Sequence, residues 1–433
     1  MSSYKASSRG GLGRTGNRDL MKEINLNIVF NLIRSQGPMS RSEIARHTGL
    51  SVGAVTGLTG ELLASAFIRE VGKGQSKVGR PSMSLALNPS ASFVVGIKLV
   101  EQSSIKPAEQ SIVVAVTDLG AAVVHSRLTP ANDLPDPQAA IEAIIQAVET
   151  SLEESAVPRS KVMGIGIGLG GVIDSQQGIC CYSPTLGWRQ VHLAQLIEQR
   201  LHLPVYIEND VNTLTIAEQW FGAGRGLSDF LVVTIGSGIG MGVVANGQIY
   251  RGSGGGAGEF GHLTLQPGGP QCACGKFGCL EALAADPAVV RMAREALEAG
   301  KNTAIAQVVQ SADLLTFDHI AQVASLSDEV ALEILVEAGR WLGLGLSYLV
   351  NLFSPQLIVL SGEGTRTGDA RIESARQTMR QHIFNGLDKS PDLVVKPLGE
   401  EAWARGAACV VLNELFKHPI NRDQRASLAL GIT

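Results

Sequence analysis

One pattern occurs twice in the body of this chain: short apolar segments, a helical stretch, and a further apolar segment that ends in glycines. The first copy has apolar segments at 93–97, 112–116 and 121–124, a helical stretch at 138–152, and the segment 162–168. The second copy has segments at 230–235, 240–245 and 248–250, helices that include 329–351, and the segment 357–360 followed by 361–364. Short apolar segments separated by polar turns predict strands. The repetition predicts two related α/β lobes with a cleft between them.

Composition sets the size and the expected compartment. The chain has 433 residues, 45% of them hydrophobic and 18% charged, which is enough for two to four compact units of about 100–200 residues. No apolar stretch is long enough to cross a membrane, and the basic N-terminus has no apolar signal-peptide core. We therefore expect a cytoplasmic protein with no membrane partner. Six cysteines are too few for a disulfide scaffold.

Charge is distributed unevenly along the chain. Residues 1–80 carry 12 Lys or Arg against 5 Asp or Glu, a net +7, whereas the remainder carries a net −11. Residues 1–18 have no hydrophobic periodicity and predict a flexible basic tail. The positive charge on the patterned stretch that follows indicates nucleic acid as its partner.

Residues 19–88 have the pattern of a winged helix-turn-helix domain. Apolar residues at helical spacing over 21–33 predict a first helix. Ser40 and Glu43 form a capping box that starts a second helix, which ends at Gly49, and a third helix opens at Ser51. Two segments, 67–71 and 83–87, predict the strands of a β-wing. A small helical dimerisation module is the alternative, which the wing and the positive charge disfavour.

Two sets of residues are the candidates for contacting DNA. Ser51, Ala54 and Thr56, at the start of the third helix, are predicted to face the major groove, with Gly53 and Thr59 as further candidates. The wing carries Lys73, Lys77 and Arg80 and no acidic residue at its tip, so it is expected to contact phosphates or a minor groove.

Four metal-ligand residues lie close together in the sequence. His262, Cys272, Cys274 and Cys279 have the spacing H-x9-C-x-C-x4-C, which supplies one imidazole and three thiolates, the full tetrahedral set for structural zinc. Buried free thiols are the alternative. Three cysteines within eight residues, separated by glycines, favour zinc.

Two further features indicate a binding site. Asp210 follows the apolar strand 205–207, and α/β folds bind ligands at the carboxyl ends of strands. Its carboxylate could accept a proton or a hydrogen bond from a hydroxyl group, although an Asn-Asp pair by itself is more often a turn. The backbone N–H groups of Gly236, Ser237, Gly238 and Gly240 could face an anion.

Four segments together resemble the ROK family of repressors and sugar kinases: 207–212, 234–240, 258–262 and 272–281. The resemblance extends from about residue 20 to about residue 415, and the motifs occur in the family's order. It implies an α/β protein with a two-lobed, actin-like, ribonuclease-H-like body that binds a sugar between its lobes. The winged helix is similar to that of the family's regulator branch. We assign residues 89–220 and 402–433 to a smaller lobe and 221–401, with the zinc site, to a larger one.

The resemblance also implies roles for single residues. Asp210 matches the catalytic aspartate, here a vestigial base or a sugar ligand, and Asn209 matches a sugar ligand. Glu259, His262 and Glu281 match further contacts to sugar hydroxyls. The glycine loop at 236–240 matches the loop that holds nucleotide phosphate in the kinases, and the zinc would hold the sugar-contacting loop in place. Gly187 and Trp188 look like the family's Pro-Gly-Trp segment with Leu186 in place of the proline.

The sequence departs from the kinases at residues 96–102. Kinases of the family have a D-x-G-x-T phosphate loop there, but this chain has Lys98 near the expected aspartate, no glycine or threonine after it, and an added polar run at 103–110. Phosphoryl transfer depends on positioning and on the metal, so ATP and Mg²⁺ are not expected to bind.

These observations predict a sugar-responsive DNA-binding transcriptional regulator, most simply a repressor of carbohydrate-metabolism genes. Its partners would be double-stranded operator DNA, a sugar or sugar phosphate, and further copies of itself in a homodimer or homotetramer. An active ATP-dependent sugar kinase with a DNA-binding appendage is the alternative, and a body that binds another protein is a third. The pattern does not distinguish one sugar from another.

Overall fold

The computed structural model of the chain describes residues 18–73, 83–100, 110–365, 369–387 and 391–417. The basic tail expected over 1–18 lies outside these residues apart from Arg18. Lys77, Arg80 and the polar run at 103–110, except for its last residue, also lie outside them.

The N-terminal unit has three helices and a three-stranded sheet. Its elements are α1 (Arg18–Gln36), β1 (Met39–Ser40), α2 (Arg41–Thr48), α3 (Val52–Ala64), β2 (Ile68–Lys73) and β3 (Met83–Leu87). The antiparallel strands have the order β1-β3-β2. This confirms the predicted winged helix-turn-helix, and β1, which the sequence did not predict, adds a third strand to the two of the wing.

The boundaries of α2 follow from its end residues. The Ser40 hydroxyl accepts a hydrogen bond from the Glu43 amide at 3.3 Å, and the Glu43 carboxylate accepts one from the Ser40 amide at 2.8 Å. Gly49 ends the helix with φ +72°, a conformation that glycine adopts without strain. The predicted capping box and helix end are both confirmed.

The first sheet of the body has the order β11-β7-β4-β5-β6. Its segment of the chain contains β4 (Phe93–Val100), β5 (Gln110–Asp118), β6 (Val123–Ala131), α4 (Pro137–Ser155), β7 (Val162–Leu169), β8 (Val172–Asp174), β9 (Ile179–Ser183), β10 (Trp188–Val191), α5 (Leu193–Leu201), β11 (Val205–Asn209) and α6 (Asp210–Phe221). Strands β8, β9 and β10 form a small separate sheet. Strands β4, β7 and β11 are parallel, and β4, β5 and β6 form an antiparallel meander.

The second sheet of the body has the order β14-β13-β12-β15-β16. Its segment contains β12 (Phe230–Ile235), β13 (Ile239–Ala245), β14 (Gln248–Ile249), α7 (Leu280–Ala284), α8 (Asp286–Glu298), α9 (Phe317–Ser325), α10 (Glu329–Phe353), β15 (Leu357–Gly362), α11 (Asp369–His382), β16 (Asp392–Pro397) and α12 (Glu400–Phe416). Strands β12, β13 and β14 form an antiparallel meander that corresponds to β4, β5 and β6. Strands β15 and β16 are parallel to β12 and correspond to β7 and β11, which are parallel to β4. The repeat predicted from the sequence is confirmed as two α/β sheets with the same strand order.

Helix α12 returns to the first sheet and packs directly on its backbone. A Cβ atom added to Gly96 of β4 would lie 1.9 Å from the carbonyl oxygen of Ala404, and one added to Gly166 of β7 would lie 1.9 Å from that of Ala407. These two glycines are required because side chains would separate the helix from the strands. The lobe boundaries given above remain predictions.

The winged helix is packed onto this same helix. One continuous cluster of buried side chains contains Val29, Phe30 and Ile33 of α1 together with Leu415 and Phe416 of α12. Burial of shared apolar surface holds the N-terminal unit against the body. None of the helices within the described residues is both long and apolar enough to cross a membrane.

Candidate ligand-binding, metal-binding and DNA-binding sites

A cavity of about 650 Å³ lies where strands of both sheets end. Lys98 and Asn209 bring β4 and β11 to it, and Thr234 and Ile235 bring β12. Ligands of α/β folds bind at such strand ends. The cavity contains the predicted site residues Asn209, Asp210, Gly236, Ser237, Gly238, Gly240, Glu259, His262 and Glu281.

Asn209 caps α6 and thereby places Asp210 in the cavity. The Asn209 side-chain oxygen accepts hydrogen bonds from the amides of Val211 at 3.0 Å and Asn212 at 3.3 Å, and its Nδ2 donates to the Gly171 carbonyl at 3.1 Å. Such capping satisfies amides that the helix itself leaves without acceptors. The Asn209 side chain is therefore fixed at the N-terminus of α6.

Asp210 forms an ion pair with Lys98. The Lys98 Nζ donates to Asp210 Oδ2 at 2.7 Å, and the two side chains are only 13% and 18% exposed. The same ammonium lies 5.2 Å from the ring centre of Trp403 on α12, and the Trp403 indole donates to Glu363 Oε1 at 2.7 Å. The sequence identified Lys98 as a departure from the kinases but did not predict its contact with Asp210.

The four predicted metal ligands converge. The donor atoms of His262, Cys272, Cys274 and Cys279 all lie within 4.8 Å of one another. The Cys272 sulfur is 3.6 Å from His262 Nδ1, and the sulfurs of Cys274 and Cys279 are 3.7 Å apart. A tetrahedral zinc about 2.3 Å from each sulfur needs sulfurs about 3.8 Å apart, so the cluster fits a metal ion of this kind.

Glu281 links the metal cluster to the glycine loop. Its Oε2 accepts a hydrogen bond from the Ile239 amide at 3.1 Å, and its Oε1 lies 3.6 Å from the Cys272 sulfur. Glu259 lies on the other side of His262, with 3.8 Å between Glu259 Oε2 and His262 Nε2. Burial raises the pKa of Glu259. The fold therefore brings these predicted sugar contacts to one wall of the cavity.

The glycine loop lines the cavity, but one of its amides already has an acceptor. The Gly236 amide donates to the Gly238 carbonyl at 3.0 Å. Carboxylates lie beside two of the glycines, since a Cβ on Gly236 would be 2.9 Å from Glu363 Oε2 and one on Gly238 would be 2.8 Å from Glu281 Oε2. The expectation that these amides are free to face an anion is wrong for Gly236.

A buried ion pair behind the cavity was not predicted. The side chain of Arg371 on α11 is fully buried, and its Nη1 lies 2.9 Å from Oδ1 of Asp286, a residue of the cavity wall. It also donates to the carbonyls of Ala284 and Gly364, and its guanidinium lies 4.3 Å from the ring centre of Phe317. Arg371 and Asp286 are 85 positions apart, and no local pattern links them.

Helix α3 exposes most of the predicted DNA contacts. Ser51 caps α3, accepting a hydrogen bond from the Ala54 amide at 3.2 Å, and Ala54 and Thr56 are exposed. Thr59 is completely buried, on the face of α3 that packs into the domain, and its hydroxyl donates to the Val55 carbonyl at 2.8 Å, so its candidacy as a DNA contact is wrong. Val52, which the sequence pattern did not indicate, is 57% exposed and can contact a thymine methyl group.

Lys73 is the final residue of β2, at the base of the wing. The wing-tip candidates Lys77 and Arg80 lie outside the described residues, so their role in DNA binding stays a prediction.

Glycines on α3 provide a test of close contact with DNA. Gly53, Gly57 and Gly60 are exposed, and a Cβ on any of them would meet nothing within 4 Å. Alanine favours a helix over glycine by about 0.5–1 kcal/mol. We expect Gly57→Ala to raise the free energy of unfolding by about that amount and to weaken DNA binding, because its methyl group would hold the helix away from the groove. Thermal unfolding and fluorescence anisotropy measure the two effects, and unchanged DNA affinity would contradict the assignment of this face.

Together, the winged helix-turn-helix and the two-sheet body with a cavity at its strand ends define a class of proteins: a DNA-binding domain joined to an actin-like, ribonuclease-H-like body. The model of the ROK family matches residues 105–414. The chain belongs to the ROK family.

Curated relatives match nearly the whole chain. It is 27% identical over 404 residues to the xylose repressor of Caldicellulosiruptor bescii, a match that covers 93% of this chain and 99% of the repressor. It is 30% identical over 380 residues to the DNA-binding transcriptional dual regulator NagC of Escherichia coli K12, covering 87% and 90% of the two chains.

Solved structures of a regulator and of a kinase from this family both resemble the chain. A ROK family transcriptional regulator, a homolog of the E. coli MLC protein, has a TM-score of 0.80 at 25% identity and covers 95% of this chain and 99% of its own. A ROK family glucokinase from Streptomyces griseus, in complex with glucose and AMPPNP, has a TM-score of 0.64 at 29% identity and covers 73% of this chain and 98% of its own. The regulator matches more of this chain than the glucokinase does.

Proposed function

We propose that this protein is a cytoplasmic, sugar-responsive transcriptional repressor. Its winged helix binds operator DNA, its body binds a sugar in the cavity, and sugar binding changes the affinity for DNA. The names of the relatives support the proposal. The observation that carries it is a physical connection between the cavity and the DNA-binding domain, made by α6 and α12.

Both helices begin at the cavity and end at α1. Helix α6 starts with Asp210 in the cavity wall and has Trp220 near its end, while α12 has Trp403 in the cavity wall and ends at Phe416. The two helices pack closely, because a Cβ on Gly406 of α12 would lie 3.1 Å from the hydroxyl of Thr213 on α6. A shift of either helix at the cavity is therefore carried to its other end.

At that other end, the two helices hold α1. The Arg34 guanidinium lies 4.0 Å from the ring centre of Trp220 and 5.4 Å from that of Phe416. Burial of the guanidinium, together with the positive charge of Arg225, lowers the pKa of Arg34. Desolvated cation–π contacts are worth about 2 kcal/mol or more, against about 0.5–1 kcal/mol at exposed sites.

Hydrogen bonds from α1 complete this contact. Asn27 Nδ2 donates to the carbonyls of Phe416 at 3.2 Å and Lys417 at 3.1 Å, and Asn31 Nδ2 donates to that of Phe416 at 3.0 Å. These carbonyls are among those that the end of a helix leaves without partners. The N-terminal helix thus replaces solvent at the end of α12.

In this proposal, Asn209, Asp210, Glu259, His262 and Glu281 hydrogen-bond the sugar hydroxyls. Zinc bound by His262 and the three cysteines would be structural, since four protein ligands leave no open position. It would hold His262 and the start of α7, which carries Glu281, in fixed positions. The protein would act as a homodimer or homotetramer, because a two-fold operator presents two half-sites to two winged helices.

We further propose that the protein does not transfer phosphate. Asp210, the candidate base, already pairs with the Lys98 ammonium at 2.7 Å. The Lys98 ammonium would repel Mg²⁺, and the Glu363 carboxylate beside Gly236 would repel a nucleotide phosphate. A coupled ATPase assay with a panel of hexoses tests this, and turnover at about 1–100 per second would favour the kinase alternative.

The coupling is tested by fluorescence anisotropy with DNA from upstream of the protein's own gene, at fixed salt, with and without sugars. We expect one sugar to change the DNA dissociation constant about tenfold, or 1.4 kcal/mol. Replacing Arg34 by methionine should reduce that change to about twofold while calorimetry still detects sugar binding, because the contact between α1 and the two helices is weakened.

Arg189→Met is the matched control for this variant. The Arg189 guanidinium lies 4.5 Å from the ring centre of Tyr182, a similar contact between β10 and β9 that involves neither α1 nor α6 nor α12. It should leave the sugar-dependent change intact. A full response in the Arg34 variant would contradict the proposed connection, and DNA binding that no sugar alters would favour a protein partner as the signal.

A further inference from the structure

The charged groups that line the cavity are mostly acidic. Among the described residues, the lining has two side chains that are always cationic, Lys98 and Arg294. Against them stand six carboxylates: Asp210, Glu259, Glu281, Asp286, Asp318 and Glu363. A lining of this sign repels an anionic ligand.

Both cations already have partners. Lys98 pairs with Asp210, and the Arg294 guanidinium donates to the backbone carbonyls of Ala312 at 2.9 Å and Asp313 at 3.1 Å. Asp286 is neutralised from behind by Arg371. Within the described residues, Glu259, Glu281, Asp318 and Glu363 make no ion pair with a lysine or an arginine.

The Lys98–Asp210 pair decides what binds at the centre of the cavity. At 2.7 Å the pair is neutral overall, and each side chain is largely buried. A phosphoryl group drawn to the ammonium would have to displace the Asp210 carboxylate or lie beside it, so the attraction to Lys98 would be offset by repulsion from Asp210. A sugar hydroxyl needs no such displacement, since it can donate to the carboxylate while the ion pair remains.

We propose that the cavity selects an uncharged sugar over its phosphorylated form, and that Lys98 sets this specificity by holding the Asp210 carboxylate in a charge-neutral ion pair that still accepts hydrogen bonds from hydroxyl groups. This inference rests on the proposed function, and it narrows the ligand from a sugar or sugar phosphate to an unphosphorylated sugar. Lys98 acts as a specificity residue through its partner.

Calorimetry on the full-length, zinc-loaded protein tests the inference. The probes are D-xylose, D-glucose, N-acetyl-D-glucosamine, and the 6-phosphates of the last two. We expect at least one of the uncharged sugars to bind and each 6-phosphate to bind at least about tenfold more weakly than its parent sugar, because the lining repels the dianion. The affinity for the uncharged sugar should also be nearly independent of salt.

Two matched variants on α6 each remove the carboxylate partner of one lysine, so that the effect of the Lys98–Asp210 pair can be distinguished from a general effect on the helix. Asp210→Asn leaves Lys98 without its carboxylate, so the uncharged sugar should bind about tenfold more weakly and the preference over the 6-phosphate should shrink or reverse. Glu218 also lies on α6 but outside the cavity lining, and its Oε2 is 2.8 Å from the Nζ of Lys396 on β16. Glu218→Gln therefore removes the carboxylate of a similar ion pair. It should leave the affinities for all five compounds unchanged. Sugar-free DNA binding and the circular dichroism spectrum show whether each variant is folded.

The outcomes separate this inference from the proposed function. Tighter binding of a 6-phosphate by the unmodified protein overturns the inference and leaves a sugar-phosphate-responsive regulator. An equal loss of preference in the Glu218 variant overturns the role of Lys98. No binding of any of the five compounds, together with DNA binding that no sugar alters, overturns the proposed function and the inference with it.

Discussion

Replacing Gly166 by alanine is expected to destabilise the body by about 3 kcal/mol or to prevent folding. The added Cβ would lie 1.9 Å from the Ala407 carbonyl oxygen and 3.3 Å from Cγ2 of Val411. The shorter contact cannot be relieved by a side-chain movement, because the carbonyl belongs to the backbone of α12. The helix must move off the sheet, and with it the contacts that α12 makes at the cavity and at α1.

Urea unfolding followed by tryptophan fluorescence measures the change, since all four tryptophans lie in the body. Gly254→Ala is the control: a Cβ there would meet nothing within 4 Å, so we expect a change within about 0.5 kcal/mol. An unfolding midpoint for Gly166→Ala equal to that of the unmodified protein would show that α12 does not rest on β7 as described.

Replacing Cys279 by serine is expected to abolish metal retention and to weaken sugar binding about a hundredfold or more. Cys279 is buried and immediately precedes α7, whose second residue is Glu281. Loss of one of four ligands opens the site, and structural zinc contributes folding free energy directly. His262 and Glu281 would then lose their fixed positions, while the winged helix, whose fold uses none of these residues, should keep its DNA affinity.

Elemental analysis of the protein, purified without chelators, gives the zinc content, and calorimetry gives the sugar affinity. Cys181→Ser is the matched control, because Cys181 is a free cysteine outside the cluster. It should retain about one zinc per chain. Far less than one zinc per chain in the unmodified protein would contradict the metal assignment altogether.

Local patterns were sufficient wherever the chain's neighbours in sequence are also its neighbours in space. Ser40 and Glu43 are three residues apart, so the capping box and the start of α2 could be read directly. The spacing of the three cysteines likewise brought their thiols together, and His262 is held near them because the segment is short. The same holds for the strands of each sheet, whose apolar segments are continuous in the sequence.

Two expectations about single residues were wrong for reasons of local geometry. Thr59 was selected as a possible DNA contact from its place on α3, yet the packing of α3 buries it. Gly236 was expected to offer a free amide, but the Gly238 carbonyl takes it up. Helical spacing does carry a signal for Thr59, which follows the buried Val55 by four residues and so lies on the same face of α3.

The sequence by itself determined the order of the elements, because hydrophobic periodicity, caps and short motifs depend on nearby residues. Its resemblance to the ROK family implied the class of the protein and most of the residues predicted for the cavity. Only the tertiary structure decided how these residues act together. It paired Lys98 with Asp210 across 112 positions and placed Arg34 against Trp220 and Phe416. Such pairs form when packing brings separate helices and strands to one place, and their geometry depends on the whole core.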